Sequence, residues 1–393
     1  MKFPILVCPS FFGSRSDGIT RACMLLHDGL ADLGFGNPWV LAANDPPDSA
    51  PPGVGRAFGG NSVSMCGHAR FSGDVSAAAR GQSVDALRSL IVCAHIGLSP
   101  VARLISERVG FPYAVVLHGV EAWRKLRLRD RWGLRRASGF LSCSQHTRRQ
   151  FIRYNPDFAS VPVHVTGWGT GASEPMERIA VASPGGACRF LCVSRMSAGD
   201  RFGRSRGVGG LYKGFRVLLD AMREVSRRIP GTTLDLVGAG DAQTEIERHA
   251  SASRVAGVVR FWGKLSDEEL ARRYREADVF VLPSEREGFG IVFVEAMARG
   301  LPCVGVSSGA SSEVIENGVS GLLVPPGDEA ALADALCTLA GNPTFRERLG
   351  RESRRRWENE FTRAACVQRL KAALSTIARR RETEAGATAM RLE

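Results

Sequence analysis

The stretch from Ser284 to Gly300 reads SEREGFGIVFVEAMARG and places Glu287 and Glu295 on either side of a glycine, phenylalanine, glycine turn. An ionised carboxylate only accepts hydrogen bonds, so a pair of them suits a polyhydroxylated ligand, whereas a lone phosphate would be repelled. Gly288 and Gly290 have no Cβ, so their backbone can take positive φ or let a ligand approach the amides closely. The helix start that follows offers unpaired N–H groups to an anion. Acceptors and donors together fit a sugar joined to a phosphate. Either glutamate alone would be read as a solvated surface residue; the pair with the glycine turn points to a site.

The elements that must position this constellation are legible around it. Ala277 to Pro283 is short, apolar and β-branched, as in a strand buried on both faces of a parallel sheet. From Ile291 the apolar residues return at helical spacing. The order is strand, glycine loop, helix, with Glu287 in the loop and Glu295 about one turn inside the helix, on the Ile291 face, so that both carboxylates can face one crevice. In open α/β sheets such loops at the carboxyl ends of strands hold the ligand.

With these residues the sequence resembles the retaining glycosyltransferases of family 4 (glycosyl transferases group 1), whose hallmark is a Glu, seven residues, then a Glu, matched here by Glu287 and Glu295. The resemblance runs over most of the chain, through FWGKLSDEELARRYREADVFVLPS before the motif and GLPCVGVSSGASSEVIENGVSGLLVPPGD after it. It implies an α/β chain of GT-B fold, two Rossmann-like parallel-sheet domains facing a central cleft. By resemblance Glu287 would hold hydroxyls of the donor hexose, the amides of Gly288, Phe289 and Gly290 would bind sugar and phosphate, and Glu295 would hold the ribose hydroxyls.

Other pieces of the family pattern follow. Leu191 to Met196 looks like its strand followed by an arginine, and Tyr212-Lys213-Gly214 like its lysine-glycine helix entry, so Arg195 and Lys213 would clamp the diphosphate. A planar guanidinium fork and a compact ammonium together offset charge on a leaving nucleoside diphosphate. Between them Ser197 to Leu211 is longer and richer in Gly and Arg than the family's usual connection, either a basic flap over the donor or an insertion. In the amino-terminal half Gly18 opens a helix after a strand and a loop, and by resemblance would bring amides to the diphosphate. His118 ends the apolar run Tyr113 to Leu117, where active-site groups collect. By resemblance it contacts the donor sugar near the reacting centre; the alternative is a histidine satisfied by backbone. His95 follows a further strand and is read as support.

At 393 residues the chain is too long for one ordinary core. Alternating strand-like and helical runs predict two parallel-sheet domains, residues 1–175 and 186–360; by the resemblance the first would hold the acceptor and the second the nucleotide-sugar donor. A hinge is expected within residues 167–186 and a loose tail from Arg381, and by the resemblance a helix over 361–380 would cross back to the first domain. The ten cysteines fall mostly in apolar runs and read as free thiols of a reducing compartment, without metal-ligand spacing. No metal and no cofactor beyond the donor are implied. No apolar stretch is long enough to span a membrane and no signal peptide is evident, so a cytoplasmic location is expected.

The net charge of +12 is concentrated in WRKLRLRDRWGLRR, from Trp123 to Arg136. This run, read as a basic, partly amphipathic helix, is a solvated basic face or a peripheral contact with the anionic inner membrane face; no nucleic-acid module accompanies it. The resemblance then implies a retaining, metal-independent hexosyltransferase moving a hexose from a UDP- or GDP-linked donor to a sugar or lipid-linked acceptor hydroxyl, in cell-surface polysaccharide or glycolipid assembly. A GT-B sugar-nucleotide epimerase and a catalytically silent nucleotide-sugar-binding protein are the alternatives.

Overall fold

Short β-branched runs followed by amphipathic ones build two parallel sheets, because a strand buried on both faces can only be joined to a parallel neighbour by a crossover. The computed structural model describes residues 4–12, 18–32, 38–46, 49–50, 55–57, 90–170, 188–197 and 213–389. The chain divides into two compact units, Met1–Gly169 with Arg363–Glu393, and Thr170–Thr362.

The first unit carries β1 (Ile5–Cys8), α1 (Gly18–Leu30), β2 (Trp39–Ala42), β3 (Gly55–Ala57), β4 (Ile91–Cys93), α2 (Ser99–Val109), β5 (Tyr113–Leu117), α3 (Leu128–Leu134), β6 (Gly139–Ser142), α4 (Gln145–Tyr154) and β7 (Val163–Val165). Its strands lie in the order β3-β2-β1-β4-β5-β6-β7, all parallel. Strands β1, β4, β5 and β6 are buried along their whole length. The order reverses between β1 and β4, which is the topological switch point of an open sheet.

The second unit carries β8 (Arg189–Val193), α5 (Phe215–Arg228), β9 (Thr233–Val237), α6 (Gln243–Ala252), β10 (Val259–Gly263), α7 (Asp267–Glu276), β11 (Val279–Val281), α8 (Ile291–Met297), β12 (Cys303–Val306), α9 (Ser311–Val314), β13 (Gly321–Val324), α10 (Glu329–Gly341) and α11 (Pro343–Arg356). Its strands lie in the order β10-β9-β8-β11-β12-β13, again parallel, with the switch point between β8 and β11. Helix α7 starts with a capping box, Ser266 and Glu269 each satisfying the other's backbone amide. A π turn over Trp357–Phe361 ends the unit.

The last helix, α12 (Arg363–Ala389), belongs to the first unit and packs on α1. Gly29 makes the approach: a Cβ there would lie 3.1 Å from Leu370 Cδ2, and Gly139 faces Ile377 still more closely. Polar anchors flank this seam, with Arg363 Nη1 2.6 Å from Asp32 Oδ2 and Arg369 Nε donating to the Thr166 carbonyl at 2.6 Å.

Two expectations need amendment. The helix does not stop near Arg380; it runs on to Ala389, because RETEAGATA is rich in strong helix formers and contains no proline. The basic run from Trp123 is not one helix, since only Leu128–Leu134 is helical. Residues 124–126 are held out of the helix by Asn155, whose Oδ1 accepts from Leu126 N at 3.0 Å while its Nδ2 donates to the Arg124 carbonyl at 2.9 Å. Most of the expected hinge and of the Ser197 to Leu211 insertion lies outside the described residues.

Among the described residues no helix is long and apolar enough to cross a membrane. Leu370 is buried at the α12 seam. Leu370→Ala should destabilise the first unit by about 2–5 kcal/mol, read as an earlier urea-unfolding transition; an unchanged midpoint would show that α12 does not hold that unit together.

Candidate active site

At the switch point of the second unit the end of β11 runs through Leu282, Pro283 and Ser284 into the loop Glu285 to Gly290 and then α8. The expected order of strand, glycine loop and helix is present. Gly290 caps α8 at φ +86, a left-handed backbone that glycine adopts freely. A Cβ at this position would lie 2.5 Å from Phe293 Cδ2 and 3.2 Å from Glu287 Cγ. The missing side chain is therefore what lets Glu287 fold against the helix start. Phe289 is buried and meets Phe361 of the π turn edge-on, with ring centroids 6.1 Å apart.

Lys213 Nζ donates to Glu287 Oε2 at 2.8 Å, and both side chains are largely shielded from solvent. Backbone geometry makes this pair. Gly214 has φ +76 and opens α5, and a Cβ on it would stand 2.2 Å from the Pro283 carbonyl oxygen. The entry of α5 thus lies directly on the end of β11, and Lys213 reaches the glutamate four residues beyond Pro283.

Arg195 lies two residues beyond β8, exposed, and its side chain has no acidic partner among the described residues. The segment bearing it is clamped by the turn after β9. Ser194 N donates to the Val237 carbonyl at 3.0 Å and Met196 N to the Ala239 carbonyl at 3.1 Å. Gly238 and Gly240 sit so close to the Ser194 and Met196 carbonyls that a Cβ on either would be 2.0 Å from oxygen. Arg195, Lys213 and Glu287 therefore all project from loops at the carboxyl ends of the adjacent strands β8 and β11.

Glu295 is buried on α8 and does not share the partner of Glu287. Its Oε2 accepts from the Tyr274 hydroxyl at 3.0 Å. The Tyr274 ring is fixed between Phe280, stacked at 6.0 Å, and the Arg299 guanidinium, 4.7 Å from its centroid. Arg299 also donates to the Glu295 carbonyl at 2.7 Å. Tyr274 was not singled out by sequence reasoning, and no local spacing could reveal it, since it meets Glu295 from another helix. Gly238 and Gly240 did leave a signal, two glycines at a strand end.

The first unit places its predicted residues around its own switch point. Gly18 is the first residue of α1, and residues 13–17 before it are outside the described set. The start of this β1–α1 connection is pinned by buried Asp45, which accepts from the Ser10 hydroxyl and, at 2.5 Å each, from the amides of Phe11 and Phe12. His118 follows β5, and its Nε2–H donates to the Ala94 carbonyl beyond β4 at 2.6 Å. A carbonyl can only accept, so Nε2 carries the proton of this bond. The ring stacks on Trp168 at 5.6 Å and lies 6.3 Å from that of His95. Glu121 Oε1 accepts from the amides of His118 and Gly119 at 2.6 and 3.0 Å, which fixes the loop. His95 Nδ1 accepts from Gly97 N at 3.0 Å and caps the turn Ile96–Leu98.

Nucleophilic thiol chemistry finds no support at either switch point. Burial pushes Cys93, Cys143 and Cys192 up to about 12, so they are neutral thiols. The nine described cysteines are free. Among the described residues no cluster of three or more His, Cys, Asp or Glu could hold a metal ion.

Residues 207–342 match the family described as glycosyl transferases, group 1. The resemblance to that family stands. Over 150 residues the chain is 42% identical to a phosphatidyl-myo-inositol mannosyltransferase of Mycobacterium leprae, covering 37% of this chain and 39% of that protein. Over 267 residues it is 28% identical to a glycogen synthase of Mycobacterium tuberculosis, covering 64% of this chain and 59% of the relative. The matched stretch thus spans from about two fifths to three fifths of these relatives. HepE of Anabaena, solved with UDP and glucose, superposes with a TM-score of 0.71 at 20% identity over 95% of this chain and all of that one. The fold is the GT-B fold.

In this chain the lysine-glycine entry is a steric lock as well as a charge. Gly214→Ala should destabilise the second unit by about 1–3 kcal/mol and separate Lys213 from Glu287. Thermal melting reads the first effect; an unchanged Tm would mean that the close approach at Pro283 is not required.

Proposed function

We propose that the chain is a retaining glycosyltransferase that moves a hexose from a nucleoside-diphosphate donor to an acceptor hydroxyl. The observation that carries this reading is the Lys213–Glu287 pair, held at the glycine-capped start of α8 at the sheet's switch point. The group 1 match over residues 207–342 supports it. So do the names of the relatives, a mannosyltransferase and a glycogen synthase, and the UDP and glucose bound by HepE. The donor is read as UDP- or GDP-linked.

In this reading Glu287 orients the sugar by its hydroxyls, and Gly288, Phe289 and Gly290 offer backbone amides to sugar and phosphate. Lys213 has three N–H donors, so it can keep Glu287 and still meet a phosphate oxygen. Arg195 provides the second cation, and the two offset the charge that develops on the leaving diphosphate without a metal ion. Glu295, steadied by Tyr274, takes the ribose hydroxyls. The bond from the anomeric carbon to the phosphate oxygen breaks as a bond to the acceptor oxygen forms on the same face. The acceptor proton passes to that phosphate oxygen, which balances the step and retains the configuration. By the family resemblance His118 contacts the donor sugar and Gly18 brings amides to the diphosphate, and the bond from His118 Nε2 to Ala94 leaves Nδ1 as the ring's other polar atom.

The acceptor is assigned to the first unit and taken to be a sugar or lipid-linked hydroxyl of cell-surface polysaccharide or glycolipid assembly. The mannosyltransferase relative, named for phosphatidyl-myo-inositol, supports the lipid-linked class. Free buried cysteines support a reducing, cytoplasmic setting.

Incubation with a panel of nucleotide sugars and acceptors, with product configuration read by NMR, tests this reading. The expected result is nucleoside diphosphate release with an unchanged anomeric configuration, insensitive to EDTA. An epimerised donor, or binding without any product, overturns it. Glu287→Ala and Arg195→Ala should each lower kcat by about a hundredfold or more without altering the melting curve, and near-normal turnover by either removes that residue from the mechanism. Tyr274→Phe should raise the donor KM about three- to tenfold at little cost in kcat; equal KM values would detach Tyr274 from ribose binding.

A further inference from the structure

The basic run of the first unit is arranged as a surface that its chemistry alone does not require. Helix α3 turns Asp130, Gly133 and Leu134 inward. Its rotation is fixed, because Gly133 lies against the start of α2, where a Cβ would stand 2.5 Å from Pro100 N, and its carbonyl accepts from the Tyr113 hydroxyl at 2.6 Å. With that face committed, Leu128 and Trp132, one turn apart, are forced outward, followed by Arg135 on the same face. Leu128 is 86% exposed and Trp132 37%.

Tyr154, at the end of α4, is 44% exposed. Asn155 next to it binds both Leu126 N and the Arg124 carbonyl, and Asp157 pairs with Arg131, so the end of α4 and the approach to α3 are fastened together. Five large apolar side chains are exposed among the described residues, and three of them are these. Around them stand the exposed cations Lys125, Arg127, Arg129, Arg135, Arg136 and Arg153. The acidic groups present are spoken for: Asp130 is buried against Arg129, Asp157 meets Arg131, and Glu107 meets Arg103 and Arg136. The Arg103 guanidinium covers one side of Trp132 at 4.0 Å from its ring centroid and Arg153 lies 5.9 Å from that of Tyr154, but Leu128, 86% exposed, is aimed outward within the ring of cations, which a solvated basic face does not require.

We propose that this surface docks onto an anionic lipid bilayer, Leu128, Trp132 and Tyr154 entering the headgroup boundary while the arginines and Lys125 meet the lipid phosphates. Apolar side chains set among cations bind such a surface through both terms at once, which a polyanion in solution does not require. The inference does not rest on glycosyl transfer, and its test does not use turnover.

The full chain is mixed with vesicles of phosphatidylcholine alone or with about one third phosphatidylglycerol, at low and high salt, and bound protein is measured by flotation. The expected result is binding to the anionic vesicles only, reduced by salt. Leu128→Asp, and separately Arg135→Glu with Arg136→Glu, should each weaken it by about tenfold or more while circular dichroism and melting stay unchanged. Equal binding to both vesicle types, or none to the anionic ones, overturns the proposal. So does binding in which the arginine variant is weak but Leu128→Asp behaves as wild type, which would mark a site for a soluble polyanion such as a nucleic acid.

Discussion

The second unit depends on a contact in which a side chain has to be absent. Gly214 presses its backbone onto the Pro283 carbonyl, in a left-handed conformation with no room for a Cβ. This brings the amino-terminal end of α5 onto the carboxyl end of β11 although the two elements are far apart in sequence. Once that contact exists, Lys213 has one short reach to Glu287, and the glutamate is held by an ammonium on one side and by the turn at Gly290 on the other. The glycines after β9 do the same for the segment of Arg195. The charged groups are thus positioned by backbone packing, which is stiffer than any arrangement of long side chains.

The two units use the same sheet order for different fastenings. In the second, cations and carboxylates meet at the switch point. In the first, the loops at the switch point are tied by backbone groups: Asp45 gathers the amides beyond β1, Glu121 those beyond β5, and His118 joins the ends of β4 and β5 through the Ala94 carbonyl. Buried carboxylates paired with amide donors give rigid loops without a compensating cation.

What was legible in the sequence follows from the range of the interaction. The strand, glycine loop and helix around Glu287 are set by periodicity and by glycine, both local, and the structure has them where the residues indicated. The roles of Tyr274, Asp45 and Asn155 were hidden, because each acts on a segment far from itself in sequence. Asn155 also explains why a run that looks uniformly amphipathic yields only a short helix: a buried amide with two backbone partners outweighs the helix preference of Arg, Lys and Leu. For α12 the composition of the last residues favours helix, where a loose tail was expected.

Because α12 returns to the first unit after Thr362, the second unit sits inside the first along the chain. On a ribosome the seven-stranded sheet is therefore finished in two instalments. Its strands emerge early but wait for the helix that covers Gly29 and Gly139, while the six-stranded sheet has all its parts in one uninterrupted stretch. The part made later is thus free to complete its fold sooner, leaving the earlier part with an uncovered apolar seam until the stretch of α12 around Leu370 and Ile377 is made.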